Sequence, residues 1–321
     1  MTLLLTCVTP RFTVQASDRR LTDLDGQPVD ELANKATLLC RFASFAYTGL
    51  ARSSRVERTH ELLMRSLAAP DQKISALTEN LRSEATQAMR QVPLPSLKPS
   101  ERLVARRTSF VGCGFVGMHN PERFGRQPTK DQLHPFLAVI SNAQDLSESW
   151  RPVADQEYTQ YIEYLSPSSA FKLHVAGQEL LRDERVKLER AIARCLPRVN
   201  HPESVARLLV RAVRRVSERN CLVGPDVMCL LVRRANVGPW GGTEILHGGP
   251  VPLVDEARNE ASYFRRMLDD SPSMWIFSPA DPSDPLHYGP NFACDGIEIA
   301  GTLAGPKPLV DKSSARLRPG S

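Results

Sequence analysis

Long apolar runs are missing from this sequence. Nothing in its 321 residues approaches the about 18 consecutive apolar positions that a membrane-spanning helix needs. No basic segment followed by a long apolar one opens the chain, so neither a membrane span nor a secretory leader is expected. Paired cysteines are missing as well. Cys7, Cys40, Cys113, Cys195, Cys221, Cys229 and Cys294 are odd in number, widely spaced and never form Cys-x-x-Cys, which points to reduced thiols in a cytoplasmic protein. His247, His287 and Cys294 have no ligand-like spacing, so no metal or cofactor is expected. Charge of one sign is scarce too: 41 basic residues against 36 acidic leave +5, scattered as on a solvated surface rather than gathered for nucleic acid.

What is present is an ordinary globular composition, with 41% apolar and 24% charged residues, in a chain longer than one typical domain. The first fifty residues organise it. Leu3 to Val8 and Phe12 to Ser17 read as two strands joined by Thr9-Pro10-Arg11, the length of a three-residue hairpin loop. A hairpin centred on Pro10 pairs Val8 with Phe12 and sets Thr2 directly opposite Asp18. Ala36 to Cys40 and Ala43 to Thr48 read as a second hairpin with Lys35 and Gly49 at its far end. If the four strands form one antiparallel meander, Thr2, Asp18, Lys35 and Gly49 gather at one end of it. Buried strands with a structural Asp–Lys pair at the rim would show the same pattern.

Beyond Gly49, Ser54 to Leu67 and Asp71 to Gln91 carry apolar residues at helical spacing, the second through Ile74, Leu77, Leu81, Ala85 and Ala88. The prolines of Val92 to Pro99 then predict a stiff linker. Strands are expected from Leu103 to Val116, Pro135 to Ser141, Tyr158 to Leu165 and Phe171 to Val175. Gly112-Cys113-Gly114-Phe115-Val116-Gly117 has the dinucleotide pattern G-x-G-x-x-G. Met118-His119-Asn120-Pro121 follows it, however, and leaves no room for the helix that such a fingerprint opens. Strand glycines packed against a neighbouring backbone are the expectation. Helices follow from Gln178 to Leu196 and Pro202 to Asn220, the latter with Arg207, Arg211, Arg214, Arg215 and Arg219 on its outer face. No aromatic residue is interleaved with these arginines, which argues against a nucleic-acid surface. Val227 to Val232 reads as a closing strand.

These residues resemble the N-terminal-nucleophile hydrolases, and among them the proteasome β-subunit family. The resemblance is carried by Thr2 as the first residue once Met1 is removed and by Ala16-Ser17-Asp18-Arg19-Arg20, like the family's Ala-Ala-Asp-x-Arg segment. Lys35 opening a strand and Gly49 closing the next complete it. The spacing from Thr2 to Asp18 matches without a gap, whereas Lys35 needs one extra loop residue. The order of elements over about residues 2 to 235 is similar to the family's four-layer αββα sandwich, an α+β fold. Thr6 and Cys7 lie too far from a terminus to serve as rival N-terminal nucleophiles.

The resemblance implies an amide-bond hydrolase with Thr2, Asp18, Lys35 and Gly49 as its catalytic residues. A Thr hydroxyl is a weak nucleophile and needs a neighbouring base, a task that the chain's own α-amine, with an ordinary pKa of about 7.7–8, can fill. Lys35 would favour the neutral amine and the developing alkoxide, Asp18 would hold Lys35, and the Gly49 N–H would face the oxyanion. Met1 removal is the prerequisite, and Thr is small enough to permit it. Supporting positions are Arg20 in the motif, Gln178 in Gly177-Gln178 where the family has Gly-Ser, and Asn220 where it has Asp, with Asp226 slightly displaced from it. Val223 stands where a Ser is expected. These departures motivate an alternative, a non-catalytic scaffold or assembly subunit of the same fold, and a small-molecule amidase is a third reading. The family resemblance also implies a peptide or amide substrate and a homo-oligomer.

The chain from Asn236 onward has no counterpart there. Ten of the eighteen glycines and eleven of the twenty-five prolines fall in it, so residues 236–305 are expected to form a loop-rich extension. It would hold one helix, Asp255 to Leu268, and strand-like pieces at Thr243–Leu246, Met274–Phe277 and Gly296–Ala300. Its Tyr263, Phe264, Met267, Trp275, Ile276 and Phe277 are too apolar to leave in water and are expected to cover helices of this chain or of a partner. Residues 306–321 read as disordered.

Overall fold

The structure is a computed structural model. It describes residues 2–22, 27–31, 33–39, 42–52, 57–68, 73–90, 92, 97–117, 133–145, 148, 150–166, 168–196 and 202–234, together with the strand backbone of 273–278, 281–287, 291–294 and 297–299. The proposed tail helix and the piece at 243–246 lie outside the described residues, as do 306–321.

Two large sheets dominate a mixed α/β architecture. The first runs β10(Lys172–Gly177)–β1(Leu3–Val8)–β2(Phe12–Asp18)–β11(Val227–Arg233)–β12(Ser273–Ser278)–β13(Asp281–His287). The second runs β15(Ile297–Ile299)–β14(Asn291–Cys294)–β5(Ala36–Leu39)–β6(Ala43–Thr48)–β7(Ser109–Gly117)–β8(Leu133–Ser141)–β9(Thr159–Tyr164). A small hairpin, β3(Leu21–Thr22) with β4(Pro28–Asp30), hangs between them in sequence. The four leading strands are therefore not one meander. They are two hairpins in two sheets, because the free edge of β2 is taken by β11, which pairs with it from Phe12 to Asp18.

Every residue of β1 is buried, and its alternation shows why. Leu3, Leu5 and Cys7 join a cluster with Leu188 and Ile192 of α4(Arg182–Cys195) and with Val205, Leu209 and Val213 of α5(Pro202–Arg219). Leu4 and Val8 join Phe45, Tyr47, Phe110 and Leu137 of the second sheet. Leu62 and Leu63 of α1(Thr59–Leu67) and Leu77 and Leu81 of α2(Ile74–Arg90) belong to the same cluster. A strand covered on both faces has no polar face to show, so its apolar run hides its period in the sequence. Gln15 donates from Nε2 to the Val111 carbonyl at 2.8 Å, joining the first sheet to the second through the buried interior.

The first hairpin differs from the expected register by one residue. Val8 faces Thr13, and Leu4 faces Ser17. Thr9 causes this: its N–H and hydroxyl donate to the Phe12 carbonyl at 3.0 and 2.6 Å, and its hydroxyl accepts from Phe12 N–H at 2.9 Å. Thr9 and Phe12 thus close a tight turn with Pro10-Arg11 at its centre, one residue shorter than foreseen. Thr2 is therefore not paired with Asp18; Leu3 is the residue beside it.

Other departures have local causes. Leu103 to Ala105 form the end of a helix, α3(Pro99–Ala105), rather than the start of a strand. Pro99 is pre-set for a first helical turn, and Glu101 accepts from the Lys98 N–H at 2.9 Å. α1 begins at Thr59 behind a similar bond from Arg58 N–H to Glu61. α4 begins only at Arg182, where the Glu184 carboxylate accepts from Leu181 N–H. Gly112 and Gly114 lie within β7, opposite Phe45 and Ala43. A Cβ on Gly114 would stand 2.1 Å from the Phe42 carbonyl oxygen, so these glycines serve strand packing.

Where it is described, the tail adds strands to the edges of both sheets, and β14 also lies against α1. β12 and β13 extend the first sheet beyond β11, while β14 pairs in parallel with β5 and β15 closes that edge. β13 contains Pro282 and Pro285 and occupies an outer edge, the place in a sheet where missing donors are tolerated. Truncation after Ala235 strips partners from both β11 and β5. The expected result is aggregation through the bared edges, visible as high-mass species in light scattering; a monodisperse truncated chain would contradict it. Among the described residues no helix is long and apolar enough to cross a membrane.

Candidate active site

The chain enters the first sheet at Thr2 and leaves β2 at Asp18; Lys35 immediately precedes β5 and Gly49 immediately follows β6. Hairpin geometry puts each of these at the same end of its sheet, and the two sheets face one another. Lys35 spans the gap. Its Nζ donates to Thr2 Oγ1 at 2.6 Å and to Asp18 Oδ2 at 3.2 Å, and it also donates to the Arg20 carbonyl oxygen. The three ammonium protons thus have three acceptors, and the Lys35 and Asp18 side chains are both wholly buried.

Asp18 is held from the other side by backbone. Leu3 N–H donates to Oδ1 at 2.8 Å, while the N–H groups of Arg20 and Gly224 donate to Oδ2 at 3.2 and 3.3 Å. Such charge-assisted bonds fix the carboxylate and leave it few ways to turn. Burial draws the Lys35 ammonium below its ordinary pKa of 10.5, and the neighbouring Asp18 opposes that fall.

The Thr2 carbonyl is gripped twice. Thr48 donates from Oγ1 at 3.0 Å and Gln178 from its backbone N–H at 3.0 Å. Gly177 permits this: it has φ 87°, and a Cβ there would stand 1.8 Å from the Thr2 carbonyl oxygen. Gly49 is also in the left-handed region, at φ 112°, with its hydrogen side against the Arg107 carbonyl, 2.3 Å from where a Cβ would lie.

Of the supporting residues, Arg20 binds Glu31 Oε2 through Nε at 3.0 Å and the Cys221 carbonyl through Nη1 at 2.6 Å, tying the motif to the loop that carries Gly224. Asn220 donates from Nδ2 to Gln178 Oε1 at 2.9 Å and accepts from Leu222 N–H at 3.0 Å. It therefore reaches Thr2 only through Gln178. Asp226 is turned to Arg19, whose guanidinium lies 3.1 Å from Oδ1, and Val223 is packed in the core beneath the helices.

No family model and no curated protein matches this sequence. Solved structures do. The chain is similar to a Gly-1 mutant of Anbu from Hyphomicrobium sp. strain MC1, with 14% identity and a TM-score of 0.42 over 73% of this chain and 82% of that one. It is also similar to HslV from Trypanosoma brucei, with 11% identity and a TM-score of 0.36 over 72% of this chain and 99% of that one. Both are proteasome-type N-terminal-nucleophile proteins.

Sequence reasoning passed over Thr48, Gly177 as a clamp, and Gly224. Nothing in their spacing marks them. The one available signal was a glycine closing a strand, Gly177 at the end of β10, where a positive φ lets two backbones touch.

Proposed function

We propose that the chain is a proteasome-like hydrolase of amide bonds, acting through Thr2 once Met1 is removed. Residues 2–235 would form the four-layer αββα sandwich and residues 236–305 an extension that completes its sheets. The single observation that carries this reading is the buried Lys35 ammonium, 2.6 Å from Thr2 Oγ1 and 3.2 Å from Asp18. A Thr hydroxyl with a merely structural role does not call for a buried amine–carboxylate pair, whose desolvation is costly.

In the proposed reaction the Thr2 α-amine takes the hydroxyl proton as Oγ1 attacks the amide carbon, and Lys35 steadies the developing alkoxide. The carbonyl electrons move to an oxyanion facing the Gly49 N–H. Collapse breaks the C–N bond, the leaving amine takes the proton, and an ester on Thr2 remains. Water, deprotonated by the same amine, attacks the ester and returns Thr2 to its starting state.

Intact-mass analysis followed by a β-lactone tests it. The expected outcome is a chain lacking Met1 that gains one adduct, lost entirely in Thr2→Ala; retained Met1, or an adduct that survives in Thr2→Ala, sinks it.

A second reading, a non-catalytic scaffold of the same fold, is favoured by Asn220 and Val223, an uncharged and an apolar residue where the resemblance expects Asp and Ser. A chain without Met1 that takes no adduct would decide for it. Turnover of small amides without peptide cleavage would instead point to a small-molecule amidase. The hydrolase reading carries a homo-oligomeric state, for which light scattering of the full chain is the check.

A further inference from the structure

We infer that Thr48 is the positioning residue that makes an N-terminal Thr2 usable, by anchoring its one remaining peptide plane; this rests on the reading of Thr2 as the nucleophile. A residue inside a chain is held by the peptides on both its sides. Once Met1 is gone, Thr2 has only the peptide to Leu3, and a tilt of that peptide plane carries the Cα, with its amine and hydroxyl, away from Lys35. The fold holds that peptide at both ends: its N–H, from Leu3, donates to Asp18 Oδ1 at 2.8 Å, and its carbonyl is the end that Thr48 holds. It accepts from Thr48 Oγ1 and from Gln178 N–H, both at 3.0 Å. The Thr48 side of the grip is crowded into place: Thr48 is 1% exposed, and a Cβ on Gly177 would lie 2.5 Å from its Oγ1.

Thr48 also precedes Gly49. The residue whose side chain fixes the plane of the attacking group is thus bonded to the residue proposed to face the oxyanion. A shift of either end of the reaction path carries the other with it, which keeps the distance between nucleophile and oxyanion donor constant. Such alignment is worth large rate factors, because about 1 Å of misplacement can cost about 100-fold.

The test uses the full chain made as a ubiquitin fusion and cut to leave Thr2 first, so that Met1 retention plays no part. Two readings are taken: the rate constant and affinity of β-lactone acylation, and the rate of periodate oxidation, which cleaves the amino-alcohol of an N-terminal Thr and needs no catalysis. Thr48→Val, which keeps the shape and removes the hydroxyl, is expected to acylate about 10- to 100-fold more slowly at unchanged affinity and to be oxidised faster. Thr48→Ser, which restores the donor, is expected to return both rates toward those of the parent chain. If the parent takes no adduct but Thr48→Val is still oxidised faster than parent and Thr48→Ser, the anchoring stands and the hydrolase reading falls. Equal oxidation of all three, a Thr48→Ser chain as altered as Thr48→Val, or a loss confined to affinity overturns the inference.

Discussion

Lys35→Met is expected to slow β-lactone acylation by about 10²- to 10³-fold and to lower stability by about 3–5 kcal/mol, the cost of leaving a buried charge without its partner. The residue left behind is Asp18, wholly buried and facing a methyl thioether in place of an ammonium. Its three backbone donors remain, which places the expectation toward the lower end of that range. The pH dependence gives a second, independent reading. The Lys35 pKa is lowered in the folded chain, so between that lowered value and the ordinary 10.5 the unfolded chain holds more protons than the folded one. Stability conferred through this group therefore rises with pH across that window. Buried Cys7, Cys229 and Tyr47, whose pKa values are raised by burial, act in the opposite sense at alkaline pH. The decisive quantity is the difference between parent and Lys35→Met in urea titrations at successive pH values, in which those common contributions cancel. The parent's advantage should widen as pH rises, and a constant difference would contradict a buried, depressed Lys35.

Gly177→Ala should be nearly as damaging by a different route. Its added methyl has to occupy a point 1.8 Å from the Thr2 carbonyl oxygen and 2.9 Å from the Thr2 carbonyl carbon, and neither backbone can turn aside like a flexible side chain. The left-handed φ of 87° adds about 1–2 kcal/mol for a residue with a Cβ, and the overpacking about 1–3 kcal/mol. A loss of about 2–5 kcal/mol is expected in the denaturant midpoint. Relief of the clash requires Thr2 to back away from the end of β10, so acylation should fall even in the fraction that stays folded. A Gly177→Ala chain with parental stability and acylation would mean that the approach of these two backbones is looser than described.

Much of this architecture was legible because its elements are local. The three- and four-residue recurrence of Ile74, Leu77, Leu81 and Ala85 marks α2, and the two apolar runs either side of Pro10 mark β1 and β2. What could not be read depended on bonds made at a distance or by side chains acting on backbone. The hydroxyl of Thr9 shortened the first turn by one residue. The division of the leading strands between two sheets was decided by β11, more than two hundred residues downstream of β2. Strand β13 was hidden by its prolines, and the parallel pairing of β14 with β5 leaves no periodic trace in either segment. At the candidate site, Thr2, Asp18 and Lys35 were marked by the family resemblance, since hairpin spacing alone left a structural Asp–Lys pair equally open. The Thr48 and Gln178 grip was not marked, because a carbonyl oxygen has no sequence signature.

The parallel strand β14 also bears on how the molecule is made. Residues 291–294 lie more than two hundred residues downstream of Thr2, yet β5, whose leading neighbour Lys35 bridges to Thr2, has β14 along one edge. β1 likewise waits for β10 before its second edge is filled. Pairings so distant in the chain close slowly, since the entropy of joining their ends is lost before the contacts form. Thr2, Asp18 and Lys35 thus stand close together in the chain, but the strands that complete the sheet edges around them are distant in it, so the contacts of Lys35 are secured by late, long-range folding rather than by the hairpins that carry these residues.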